Sequence, residues 1–170
     1  MSLLSWNCQG IGGSLDSPKM RHLARLISST NAQVIFISET RNTRITKTEL
    51  VNKFNLDNAY IISAEGLSGG LWLLSRDQVD VNVVESCNFY FLAICYHKHV
   101  RKKFGPVCVY GDPHHRCTVW LWKQICHFVM VNQKLPSPSF HAVVDKGSSL
   151  TGHQSPNSHT LQFMILGRSS

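Results

Sequence analysis

Apolar and polar positions follow two periods along this chain, and the changes between them mark its elements. Leu3–Asn7 is a short apolar run closing on an amide, which predicts a buried strand. Residues 9–13, QGIGG, form a loop. Ser17 then stands before Pro18, a favoured cap and first residue for a helix. Met20, Leu23, Ala24 and Ile27 follow at helical spacing on one face. Val34–Ser38 is β-branched and apolar, a second buried strand. Thr46-x-x-Glu49 reads as a capping box ahead of a short helix carrying Leu50, Val51 and Phe54. Further strands are predicted at residues 59–63, 70–75, 79–85, 89–97 and 106–110. Thr118–Asn132 reads as a helix with Leu121, Ile125, Phe128 and Val129 turned inward.

The order is strand, helix, strand, helix, a series of strands joined as hairpins, and a helix. Mixed sheets with helices outside fit this order better than all-parallel winding. The pattern fades near Lys134. Residues 135–158 are rich in Ser, Pro and His, and only residues 161–166 are apolar enough for a late strand. This divides the chain into a patterned part, 1–133, and a divergent Ser/Pro-rich tail, 134–170, expected to be poorly ordered or packed differently.

Composition narrows the classes. The chain has 170 residues, 43% hydrophobic and 16% charged, which suits one globular domain. The formal charge of +7 favours an anionic partner, nucleic acid being the commonest. The six cysteines form no C-x-x-C pair, and several lie in apolar runs, so they read as reduced core residues. His114, Cys117, Cys126 and His127 match no common zinc spacing. No secretory signal or membrane-length apolar run is present, so the expected setting is intracellular and soluble, with the nucleus open. Nothing in the sequence indicates a protein partner or an oligomeric state.

The candidate chemistry sits at the ends of the first two strands. Asn7 closes one and Glu39 follows the other. A strand-end carboxylate is costly to bury unless it is paired. Mg²⁺ suits such an oxygen donor, and Asn7 can bind the same ion or steady Glu39. A solvent-facing Glu and a turn-starting Asn explain the same residues, and spacing alone leaves both readings open.

Four fragments carry a resemblance: SWNCQGIG, VIFISETR, GGLWLLSRD and VYGDPHHRCTVWLW. In this order they resemble the endonuclease domain of LINE-type (non-LTR) retrotransposons, within the endonuclease/exonuclease/phosphatase superfamily. The likeness runs from residue 1 to about residue 133. It implies an α/β fold, a DNase I-like four-layer sandwich of two mixed sheets with outer helices, here in part. It implies hydrolysis of phosphodiester bonds with Mg²⁺ or Mn²⁺. It gives Asn7 and Glu39 the metal side of the site and Tyr110 a contact to the scissile phosphate. Arg41 follows the metal-ligand motif, where it can touch a backbone phosphate.

The basic run at residues 97–103 offers Lys98, Arg101, Lys102 and Lys103 to a DNA backbone, or serves as a solvated hairpin tip.

The resemblance also has departures. The family continues with a Gly-Asp-x-Asn motif, whereas Asp145 here is followed by Lys146 and Gly147. The family ends in Ser-Asp-His, whereas His159 follows Ser158 without the aspartate. Asp112 lies in the earlier YGDP loop. The resulting expectation is a truncated, inactive relative of a Mg-dependent DNA endonuclease. The alternatives are a non-catalytic nucleic-acid-binding module and a degenerate fragment without stable function.

Overall fold

The structure is a computed structural model. It describes residues 2–66, 68–110, 118–132, 139–144 and 163–165, the last two segments as backbone only.

Twelve elements occur among these residues: β1 (Leu3–Asn7), α1 (Pro18–Thr30), β2 (Val34–Ser38), α2 (Lys47–Phe54), β3 (Asn58–Ile62), β4 (Leu71–Ser75), β5 (Val79–Cys87), β6 (Tyr90–His97), β7 (Lys102–Val109), α3 (Thr118–Asn132), β8 (Ser139–Val144) and β9 (Phe163–Ile165). They form two mixed sheets. The first has order β1-β2-β4-β3, with β1 and β2 parallel and the other pairs antiparallel. The second has order β5-β6-β7-β8-β9, antiparallel except for the parallel pair β7–β8.

The period-2 alternation of the strands builds the layers. On β2, Ile35 and Ile37 pack outward with Met20, Leu23 and Ile27 of α1 and Leu50 and Phe54 of α2. Val34 and Phe36 point the other way and meet Phe91, Ala93, Cys95 and Cys108 of the second sheet. On β6, Tyr90 and Leu92 face Leu121, Ile125 and Phe128 of α3. Helices, sheet, sheet and helix are therefore stacked in four layers. Burial on both faces explains why β2 and β4 read as unbroken apolar runs, with all five residues of each buried.

Local rules set the helix starts. The Ser17 hydroxyl accepts from the Met20 N–H at 3.2 Å. The Thr46–Glu49 capping box closes in both directions, with the Thr46 N–H donating to Glu49 Oε2 at 2.7 Å.

Most strand boundaries lie within two residues of the sequence reading, and two larger differences concern the second sheet. β7 begins at Lys102, four residues before the expected start at 106. Its pairing with β6 runs on both sides of Gly105 and Pro106, and proline has no N–H to give a ladder. Within the tail, Ser139–Val144 runs parallel to Phe104–Val109 of β7 and so extends the second sheet. Phe163–Ile165 pairs with it in turn.

Candidate functional site

β1 and β2 are parallel and in register, so Asn7 lies beside Ser38 and both strands end at the same edge. Glu39 is the next residue. It adopts a left-handed backbone, φ 53, and Arg41 does the same at φ 49. Non-glycine residues avoid this region unless their surroundings hold them there. Three backbone bonds do so here. The Gly10 N–H donates to the Glu39 carbonyl at 2.7 Å, the Thr40 N–H to Gly70 at 3.1 Å and the Arg41 N–H to Gly69 at 2.9 Å. Gly70 itself has φ +83, and a Cβ there would lie 2.3 Å from Thr40 Oγ1. The Gly69–Gly70 pair is thus a strap along Thr40 and Arg41, close-packed at Gly70.

Tyr110 arrives from the other sheet. It follows β7, its N–H donates to the Phe89 carbonyl at 2.8 Å, and the residue is buried. Its hydroxyl donates to Glu39 Oε1 at 2.5 Å. The other carboxylate oxygen, Oε2, lies 3.4 Å from a guanidinium nitrogen of Arg41. Glu39 is largely enclosed, with 13% of its side chain exposed, while Arg41 is 46% exposed, so solvent screens this ion pair heavily. The Asn7 side chain turns inward on its own loop, Oδ1 accepting the Gln9 N–H at 3.1 Å. Asn7, Glu39, Arg41 and Tyr110 therefore share one end of the sandwich.

The basic run does not reach that end. Residues 98–101 form the turn between β6 and β7, and β7 runs from this turn to Tyr110. Eight strand residues put the turn about 25 Å from the carboxylate. Lys98 is engaged by Asp80 at 3.0 Å. His97, 7% exposed, lies 3.1 Å through Nε2 from the Gln33 amide nitrogen and so ties the two sheets together at this far end. Lys98, Arg101, Lys102 and Lys103 cannot touch the same phosphate as Arg41.

The site also holds a residue that pattern reading passed over. Lys19 Nζ donates to the carbonyls of Cys8 and Gln9 at 2.8 and 2.9 Å, the loop directly after Asn7. The available signal was a lysine in the first turn of a helix, where a cation is unfavourable.

The donor set suits a hard cation, for Glu39, Asn7 and Tyr110 all offer oxygen. No group of three or more His, Cys, Asp or Glu residues gathers among the described residues. Asp112, Asp145 and His159 lie outside them.

The sequence matches the Endonuclease/Exonuclease/phosphatase family over residues 4–144. The chain belongs to this family. None of the curated proteins matches it. Solved structures share the fold of this family member at low identity. TDP2 from C. elegans is 17% identical with a TM-score of 0.54, over 82% of this chain and 46% of that one. The endonuclease domain of TRAS1, a telomere-specific non-LTR retrotransposon, is 14% identical with a TM-score of 0.54, over 86% and 60%. The 3′ phosphatase NExo from Neisseria, bound to a product DNA hairpin, is 10% identical with a TM-score of 0.53, over 84% and 56%. The chain spans about half the length of the solved structures it matches. The family spans endonucleases, exonucleases and phosphatases, and it generally depends on a divalent metal. No helix among the described residues is long and apolar enough to cross a membrane.

Proposed function

We infer that this chain carries the metal-holding side of a phosphodiester hydrolase site of the retrotransposon-endonuclease type. With the family's later motifs altered in its sequence, it cuts DNA far more slowly than a family enzyme that has them. The observation that carries the reading is the Tyr110–Glu39 hydrogen bond, which joins the two sheets at the edge where Asn7 also ends its strand. Glu39 and the Asn7 amide would hold Mg²⁺ or Mn²⁺, and the ion would supply charge stabilisation and an acidified water. The residues themselves orient. Tyr110 fixes one carboxylate oxygen, and Arg41 presents a guanidinium within reach of a nucleic-acid phosphate beside it. DNA is the expected anionic partner, consistent with the charge of +7.

Slow cutting follows from the sequence beyond α3. Where the family places Gly-Asp-x-Asn, the chain has Asp145-Lys146-Gly147, and His159 lacks its preceding aspartate. Losing one proton-transfer group costs about 10²–10⁴ in rate, and losing a charge-stabilising donor about 10²–10³. Nicking of supercoiled plasmid in Mg²⁺ tests the proposal, with Glu39→Ala as the control. The expected result is nicking near background in both proteins. Strong nicking that Glu39→Ala abolishes would mean that Asp112, Asp145 or His159 completes the site.

A further inference from the structure

Lys19 is the second residue of α1, after Pro18. The unpaired N–H groups of a first helical turn carry partial positive charge and repel a cation. α1 has no acidic residue in that turn to offset it. The side chain turns back instead, donating to the carbonyls of Cys8 and Gln9 at 2.8 and 2.9 Å. These are the two carbonyls that follow Asn7.

The loop they belong to is unusual and connected. Gln9 and Gly10 are left-handed, φ 47 and 85. The other side of the loop grips the end of β2. The Cys8 N–H donates to the Ser38 carbonyl at 3.0 Å, the Gly10 N–H to Glu39 at 2.7 Å and the Ile11 N–H to Thr40 at 2.9 Å. The Cys8 thiol also reaches the Glu39 carbonyl at 3.2 Å. One ammonium thus bonds two carbonyls of the loop, and the loop's own N–H groups bond Ser38, Glu39 and Thr40.

We propose that Lys19 is a positioning residue, clamping residues 8–10 in the conformation that presents Asn7 and Glu39 to a shared divalent cation. The proposal rests on reading the Glu39 end as a metal-dependent phosphodiester site. A simple rival is that Lys19 is only a nearby positive charge. The two differ in sign. Removing a bare charge strengthens binding of a divalent cation, whereas removing a clamp weakens it.

The test compares wild type, Lys19→Met, Lys19→Arg and Glu39→Gln. Amide hydrogen exchange at Gly10 and Ile11, relative to Ile37 in the core, should accelerate about tenfold in Lys19→Met and recover in Lys19→Arg. Mn²⁺ affinity, read from the free-ion electron paramagnetic resonance signal, should fall about tenfold in Lys19→Met and stay near wild type in Lys19→Arg. Unchanged exchange at Gly10 and Ile11 overturns the clamp, and so does tighter Mn²⁺ binding by Lys19→Met. If wild type binds no Mn²⁺ that Glu39→Gln removes, the phosphodiester reading fails, while the exchange comparison still decides the clamp.

Discussion

β2 is bracketed by two polar residues, and each meets the second sheet. At one end Glu39 accepts the Tyr110 hydroxyl, and at the other Gln33 lies against His97. The two bridges do similar structural work and differ in what they leave available. His97 is closed in by its own hairpin, the Val100 N–H lying 3.3 Å from Nδ1 and the Arg101 N–H donating to its carbonyl at 2.8 Å. Among the described residues, the second carboxylate oxygen of Glu39 meets a half-exposed arginine. The far end has the greater density of positive charge, but the near end has the carboxylate, the strained backbone and the converging strand ends. Charge density alone therefore points to the end opposite the proposed site.

Substitutions at the two ends should separate these roles. The largest effect is expected for Gly70→Ala. It forces a Cβ to within 2.3 Å of Thr40 Oγ1 at a φ of +83. The cost should be about 3 kcal/mol or more, because strain and overpacking add. Chemical denaturation checks it, and a change below about 1 kcal/mol would show that the Gly69–Gly70 strap can shift.

Tyr110→Phe removes the hydroxyl that bridges the sheets and leaves the ring. A hydrogen bond to a carboxylate is worth about 1.5–3 kcal/mol, so stability should fall within that range. The same substitution should also weaken Mn²⁺ binding by freeing the Glu39 rotamer. A stability loss with unchanged metal affinity would reduce Tyr110 to a structural bridge.

Lys102→Ala with Lys103→Ala should leave metal binding unchanged. If the far end touches DNA, affinity should fall across all sequences, and the salt slope should drop by about 1 for each phosphate that these lysines neutralise. No change in DNA affinity or slope would assign that hairpin to solvent alone.

The smallest effect concerns acid. The Lys53 ammonium holds the Asp16 carboxyl below its ordinary 3.8, and bonds from Thr46 hold Glu49 below its ordinary 4.5. Both folded values are depressed, so their stabilisation is fully present above those ordinary values and is lost as pH falls through the lowered ones. Both groups are exposed, so the expected shift in denaturation midpoint between pH 5 and pH 3 is slight. Glu49→Gln should remove part of it.

Much of this was legible in the sequence where local rules and burial agree. The Ser17–Pro18 start, the Thr46–Glu49 box and the inward face of α3 all follow from spacing that the structure keeps. β2 and β4 were legible because burial on both faces makes a continuous apolar run. β7 was harder, since its first two residues are lysines and its middle holds Gly105 and Pro106. Its pairing to β6 and β8 overrides that composition. Convergence of Asn7 with Glu39 followed from two strand ends, but the bond from Tyr110 joins residues 71 positions apart on different sheets, which no local pattern encodes. Lys19 was hidden for the same reason, its partners being backbone carbonyls that carry no sequence signature.

Mn²⁺ line broadening mapped residue by residue on the amide nuclear magnetic resonance spectrum tests the two-ended account most directly. Broadening is expected at residues 7–10, 39–41 and 110, none at residues 98–103 about 25 Å away, with loss of the effect in Glu39→Gln. Broadening centred on residues 98–103, or a pattern at the near end that Glu39→Gln leaves intact, would contradict it.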